Sequence, residues 1–389
     1  MPNGHIKLPV EGGGLVPYAV GAPRAFRAPT GPFNRVVFSA AHVVSDPWAD
    51  ADPSLDCRID WDATLAFRRH LWGLGLGVAE AMDTAQRGMG LGWAESLELI
   101  RRSVAESRTV PGARIASGAG TDHLPSGEAA TVDGVIAAYE LQCDAVEAAG
   151  GDIILMASRA LVAAAGGPDD YRRVYGRILS QLRGKAILHW LGEMFDPALA
   201  GYWGHRDHWA AMEVCLDVIQ ENAAKIDGIK ISLLDKDKEI ALRARLPSGV
   251  RMYTGDDFNY PELIEGADGR HSDALLGIFD PIAPAAAAAL GKLAAGDAAG
   301  FQATLDPTVP LSRHIFRAPT RFYKTGVVFT AFLNGHQDHF TMVGGQQSAR
   351  SMLHLAELFR LADQAGVLAD PEEACRRMRR VLAGFGVDG

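Results

Sequence analysis

The stretch KIDGIKISLLDKDKE, Lys225 to Glu239, decides how this chain is read. Its centre, Ile226-Asp227-Gly228-Ile229-Lys230-Ile231-Ser232-Leu233-Leu234, has the β-branched and apolar run of a buried strand. Working outward, seven more short runs share that character: Arg35–Ala41, Leu76–Thr84, Ala113–Gly120, Asp152–Ser158, Lys185–Leu191, Val250–Gly255 and Asp273–Phe279. Between them lie stretches such as WDATLAFRRHLWGL and WAESLELIRRSVAESR, with apolar residues near i, i+3, i+4 and i+7. Eight strands alternating with helices predict an α/β fold, a (β/α)8 TIM barrel. A doubly wound sheet would need a nucleotide fingerprint after its first strand. GMGLGW (Gly88–Trp93) lacks GxGxxG spacing and reads as a loop before a helix, only a weak anion-cradling signal.

The barrel is expected over residues 35–296. Residues 1–34 are expected to cover its open amino-terminal end. Residues 297–389, with GVVFTAFLNGHQDHF, SARSMLHLAELFRLADQAG and DPEEACRRMRRVLAGFG, are expected to form a C-terminal helical extension.

Bulk properties bound the function. The chain has 389 residues, 48% hydrophobic and 22% charged, enough for a large core. Its net charge of −9 argues against nucleic acid as a partner. Cys57, Cys143, Cys215 and Cys375 form no CxxC pair, so neither a disulfide framework nor a thiolate zinc site is expected, and a cytoplasmic location is. No secretory h-region is visible in MPNGHIKLPVEGGG, and the longest apolar run, Ala283–Gly296, is broken by Gly and Lys, so no membrane partner is expected.

Lys230 is the anomaly. An unpaired ammonium buried in a barrel costs several kcal/mol, so it either finds a carboxylate such as Asp83, Asp256 or Asp257, reaches solvent at the strand end, or loses its proton more readily. A lysine of the last kind is an amine nucleophile toward ketones and keto acids. The resulting Schiff base is an electron sink beside which a C–C bond, a C–O bond or a proton is lost, with no cofactor required.

The surrounding residues sharpen this. Gly228-Ile229-Lys230, then Asp235, then Gly255-Asp256-Asp257 and Gly266-Ala267-Asp268-Gly269 together resemble the dihydrodipicolinate synthase / N-acetylneuraminate lyase family. MDTAQRGMGLGWAESLELIRRSV resembles the family's threonine-bearing block after the second strand, and KAILHWLG its fifth strand. The resemblance runs from about Arg35 to the C-terminus and implies a class I, Schiff-base lyase or aldolase with Lys230 as nucleophile. It also implies a small-molecule substrate and a homodimer or homotetramer. Thr84 matches the first of the family's two threonines, one of which joins a proton relay; the second is Ala85, and the family glutamate is Arg87. The fifth-strand tyrosine that serves the Schiff base aligns with His189, and the fourth-strand tyrosine pair with Ser158-Arg159. His189 is therefore the expected proton shuttle, assisted by Thr84. Dihydrodipicolinate synthesis itself is not implied.

Further candidates for substrate contact lie after strands. Asp83, Arg87 and Arg159 are placed to meet the substrate, the two arginines by gripping an anionic group. Asp122 and His123 lie in GTDHLPSGE, Glu193 in GEMFDP, and Asp256 with Asp257 in GDDFN, where either is a hydroxyl-binding carboxylate or a helix cap. The abundance of His, Asp, Glu and Trp in these loops favours a keto acid or oxidised sugar. Two pieces, GHRDHW (Gly204–Trp209) and GHQDHF (Gly335–Phe340), repeat His-x-Asp-His. They support a rival, a metal-dependent barrel lyase or isomerase. A non-catalytic ligand-binding barrel is the other rival; neither a metal nor a cofactor is expected.

Overall fold

The computed structural model describes residues 4–124, 131–267 and 269–387. Asp268 and the second half of the loop GTDHLPSGE lie outside the described residues. All eight expected strands form: β3 (Val37–Ala40), β4 (Gly77–Glu80), β5 (Ile115–Ala119), β6 (Asp152–Leu155), β7 (Ala186–Leu191), β8 (Ile226–Ser232), β9 (Arg251–Thr254) and β10 (Asp273–Leu276). They close in sequence order into one barrel, β10 pairing with β3, with every pair parallel.

Successive side chains on a strand alternate faces, which fixes what enters the barrel. Phe38, Ala40, Ala79, Ala116, Ile154, Ile187, Tyr253 and Leu275 form the inner cluster. His189 stands two residues beyond Ile187. Across the ladder Lys230 is level with His189 on one side and Tyr253 on the other. The period therefore turns His189 and Lys230 inward too.

Outside the sheet lie α1 (Trp61–Gly73), α2 (Trp93–Ser107), α3 (Val132–Ala149), α4 (Arg159–Ala164), α5 (Pro168–Gln181), α6 (His208–Glu221), α7 (Lys236–Arg245), α8 (Tyr260–Glu265) and α9 (Ala283–Ala294). Asp235 ends the opening stretch's strand run and caps α7, accepting from the backbone N–H of Asp237 and Lys238. The alanine run of α9 is buried, as a closely packed helix requires.

The tail forms α10 (Ala298–Leu305), α11 (Val309–Ile315), α12 (Tyr323–Leu333), α13 (Met352–Gln364) and α14 (Pro371–Gly384). The expected helical pattern through GHQDHF stops short. Gly335 has φ of 79°, a left-handed conformation that ends the helix, and His336–Phe340 is irregular.

The amino-terminal segment divides: Pro29, Phe33 and Asn34 pack against α9 and Gly75 of the barrel, whereas its hairpin lies elsewhere. Its hairpin, β1 (His5–Pro9) and β2 (Leu15–Ala19), docks on the tail instead. Ile6 and Leu8 are buried in the main core, Tyr18 donates to Asp363 Oδ2 at 2.7 Å, and Arg360 donates to the Pro9 carbonyl at 3.3 Å. The barrel's lower mouth is a hollow of about 500 Å³ lined by strand starts, among them Phe38, Arg114, Asp152, Lys185 and Arg251. Charged side chains rim it: Asp227 accepts from Tyr253 at 2.6 Å and pairs with Arg251 at 2.7 Å.

Candidate active site

Lys230 is buried in the upper half of the barrel, 8% exposed. Gly255 on the neighbouring strand makes room for it: a Cβ there would lie 2.9 Å from Lys230 Cε and 2.3 Å from Ser232 Oγ. Burial lowers the basicity of Lys230, against the opposing pull of Asp83 and Asp257 acting through space. Neither carboxylate hydrogen-bonds to it.

Asp257 follows Tyr253 and Gly255 at the two-residue period. It accepts from the backbone N–H of Ile278 at 2.8 Å. Burial pushes its carboxyl up to about 7, opposed by that hydrogen bond and by Lys230. Asp256, the neighbour preferred from sequence, turns away. It accepts from the backbone N–H of Phe258 and Asn259 and from the Asn259 amide at 2.8–3.1 Å, which shapes the entry to α8.

His189 is buried beside Lys230, its Nε2 3.2 Å from Ser232 Oγ. Burial, and next the charge of Lys230, hold the ring well below its ordinary basicity, so it is neutral. Thr84 lies in the short turn Asp83–Ala85 after β4, and its Oγ1 is 2.9 Å from the hydroxyl of Tyr323. Tyr323 comes from the start of α12. Its ring stacks on Phe316 at 4.4 Å and meets Phe195 edge-on at 6.0 Å. Its hydroxyl is raised well above the ordinary range by burial and then by the charge of Asp83, with Asp257 adding to it.

Lys230, His189, Asp83 and Thr84 are thus brought together. The other expected residues are engaged elsewhere. Arg87 donates to Asp122 at 2.7 and 3.0 Å and to the Gly118 carbonyl at 2.6 Å, and lies over the Trp93 ring. Burial opposes the charge of Asp122, but Arg87 outweighs it and holds the carboxyl below its usual range. His123 Nδ1 is 2.8 Å from Gln142 Nε2. Arg159 pairs with Asp196, and Glu193 with His208 at 3.1 Å. The glycine-rich stretch Gly88–Trp93, read from sequence as a loop before a helix, is clamped together with Gln86 before it. Gln86 donates to the Val343 carbonyl at 2.7 Å, and a Cβ on Gly90 would meet Gly344 N at 2.8 Å.

The two His-x-Asp-His pieces serve local structure. Asp207 caps α6, His336 packs against His70 and Phe67, and His339 bonds Thr341. Among the described residues, no group of three or more His, Cys, Asp or Glu is placed to hold a metal ion. No helix among them is long and apolar enough to cross a membrane.

Tyr323 and Lys324 were the residues sequence reasoning left out of the site, and Asp257 was offered only as an alternative to Asp256. The inward period from Tyr253 carried the signal for Asp257. Nothing local carried it for Tyr323, which is 239 residues from Thr84.

A closed parallel barrel with a buried lysine inside its sixth strand and a helical tail completing the upper end is the class defined by this fold and site. Solved structures of the same shape include the 4-hydroxy-tetrahydrodipicolinate synthase of Methylacidiphilum fumariolicum SolV, with 14% identity, a TM-score of 0.63, and 87% of this chain and 99% of that one covered. The dihydrodipicolinate synthase of Oceanobacillus iheyensis has 15% identity, a TM-score of 0.60, and coverage of 84% and 96%. That of Aquifex aeolicus has 10% identity, a TM-score of 0.59, and coverage of 91% and 99%. At these identities the likeness is one of fold. No curated protein matches the chain. The chain belongs to the family described as "Protein of unknown function (DUF993)", which matches residues 6–387.

Proposed function

We propose that this protein is a Schiff-base-forming lyase or aldolase acting on a keto acid or oxidised sugar, with Lys230 as the nucleophile. One observation carries the proposal: a buried lysine of lowered basicity inside the sixth strand, facing two carboxylates without bonding either. Its structural neighbours are named as dihydrodipicolinate synthases, and that activity is not carried over.

The neutral amine of Lys230 adds to the substrate carbonyl, forming a carbinolamine. Its hydroxyl leaves as water once a proton is supplied, and the nitrogen lone pair closes the iminium. Asp257, with its carboxyl near 7, is suited to donate that proton at neutral pH. The iminium then accepts the electron pair of the adjacent bond. In retro-aldol cleavage a base takes the proton of the leaving alcohol as the C–C bond breaks; in dehydration the β-hydroxyl leaves after loss of the α-proton. The neutral ring of His189 is a base for either step, and the Thr84–Tyr323 hydroxyl pair returns protons. Water then hydrolyses the imine and frees Lys230.

Borohydride trapping with a panel of keto acids and keto sugars, read by intact mass and peptide mapping, tests this. An adduct on Lys230 is expected, absent in Lys230→Ala. A folded sample that forms no adduct with any of them would sink the proposal. The assembly is proposed to be a homodimer or homotetramer, to be checked by light scattering; one structural neighbour is described as a monomeric variant.

A further inference from the structure

The second His-x-Asp-His piece, GHQDHF, walls a cavity that the site around Lys230 does not use. The cavity holds about 430 Å³ between this piece and the long connection from β3 to α1. Its two walls are pinned together at one edge. Ser45 Oγ lies 2.9 Å from Thr341 Oγ1, which is 2.6 Å from His339 Nδ1.

Two features of the lining call for a ligand. Gln337 is 4% exposed, and its amide donates to the His339 carbonyl at 2.7 Å, but its Oε1 has no partner among the described residues. A buried carbonyl oxygen left in this state costs stability until a donor reaches it. Trp48, also in the lining, is 93% exposed, an indole left almost wholly uncovered.

The charge of the lining is one-sided. Asp60 and Asp338 contribute to it, and no lysine or arginine does. Each uses one carboxylate oxygen, Asp60 on the backbone N–H of Ala63 at 2.9 Å and Asp338 on Arg377 at 3.1 Å. Among the described residues the other oxygen of each is unengaged. Burial lowers the basicity of His339, and Asp60, Asp338 and Asp46 all pull against it, so the carboxylates share one locality. His336 adds no competing cation, because burial and the neighbouring rings of His70 and His42 push it down to about 3. Three free oxygens beside a bare indole match a primary ammonium, which brings three donors, one positive charge and an attraction to aromatic faces.

We propose that this cavity binds a small organic cation through its primary ammonium group, held by Asp60, Gln337 Oε1 and Asp338 with the ligand's chain against Trp48. The site is separate from Lys230 and does not depend on the Schiff-base proposal.

Calorimetric titration of the full chain at fixed ionic strength tests this, with n-butylammonium chloride, tetramethylammonium chloride and 1-butanol as probes. Butylammonium is expected to saturate a single site per chain with a Kd on the order of 1 mM. Tetramethylammonium, which has no N–H, is expected to bind about tenfold more weakly, and butanol not measurably. Trp48→Ala and Asp338→Asn alter exposed side chains, so the fold is retained. Each is expected to weaken butylammonium binding about fivefold or more. No saturable binding of butylammonium, equal binding of either comparison probe, or binding unchanged in both variants would overturn the proposal. Light scattering distinguishes the rival occupant. If Trp48→Ala breaks a larger assembly into smaller ones, a second copy of the chain covers the cavity and the proposal falls; an unchanged size supports a small-molecule occupant.

Discussion

Lys230 was legible from sequence because an ammonium stands out in an apolar strand, and its inward face follows from the strand period. Choosing between Asp256 and Asp257 needed the same period carried past the end of β9. The carboxyl of Asp257 gives a measurable consequence. Unfolded, it loses its proton near pH 4; folded, near 7. Between these values the native protein binds more protons than the unfolded chain, so stability falls as pH rises through this window. Asp257→Asn removes that loss. Relative to wild type, it is expected to gain on the order of 1–3 kcal/mol between pH 4 and 8 in urea melts, while trapping at Lys230 slows. The amine gives a second consequence. Adduct formation needs the neutral form of Lys230, so its rate rises with pH, and the half-maximum is expected below the ordinary lysine value of about 10.4. A profile centred at or above that value would contradict a buried nucleophile.

The strands and the barrel helices were read correctly because each has a local period and clear ends. What joins them was not readable. Arg68 of α1 donates to Glu80 at the end of β4 at 2.8 and 2.9 Å, both fully buried. Nothing in either local sequence announces the pair. Arg68→Met leaves Glu80 as an uncompensated buried charge, and a loss of about 3–5 kcal/mol is expected by chemical denaturation. The glycine-rich loop after β4 is a similar case. Its glycines suggested freedom, yet Gly90 touches Gly344 so closely that a side chain on either strikes backbone, and Gly344 sits at φ of 65°. Gly344→Ala is expected to cost about 1–3 kcal/mol and to raise the concentration needed for trapping, since Thr84 hangs on the same loop.

At the scale of the whole molecule, the tail reaches the candidate site through Tyr323. Sequence marked residues 297–389 as a helical extension and named none of them as a site residue, because helix periodicity reports burial and not what the first turn points toward. The structure brings Tyr323 and Lys324 to the barrel's upper end. Burial pushes Lys324 down to about 8, from an unfolded value of about 10.4. The unfolded chain therefore binds more protons between these values, and the penalty is fully present below about 8. Lys324→Met is expected to stabilise the protein by about 1–2 kcal/mol at pH 7 in thermal or urea melts.

The docking of the amino-terminal hairpin on α13 and α14 also sets an order of events during synthesis. Strands made before the barrel find their partners among helices made after it. Until then, the nascent chain carries Ile6 and Leu8 uncovered. Its lysine-bearing barrel lacks Tyr323 and Lys324, so the amine is translated well before the groups that equip it. A chain stalled or cut before α12 therefore holds the proposed nucleophile without its completed surroundings, and the docking of the hairpin on the tail comes only after α13 and α14 are made.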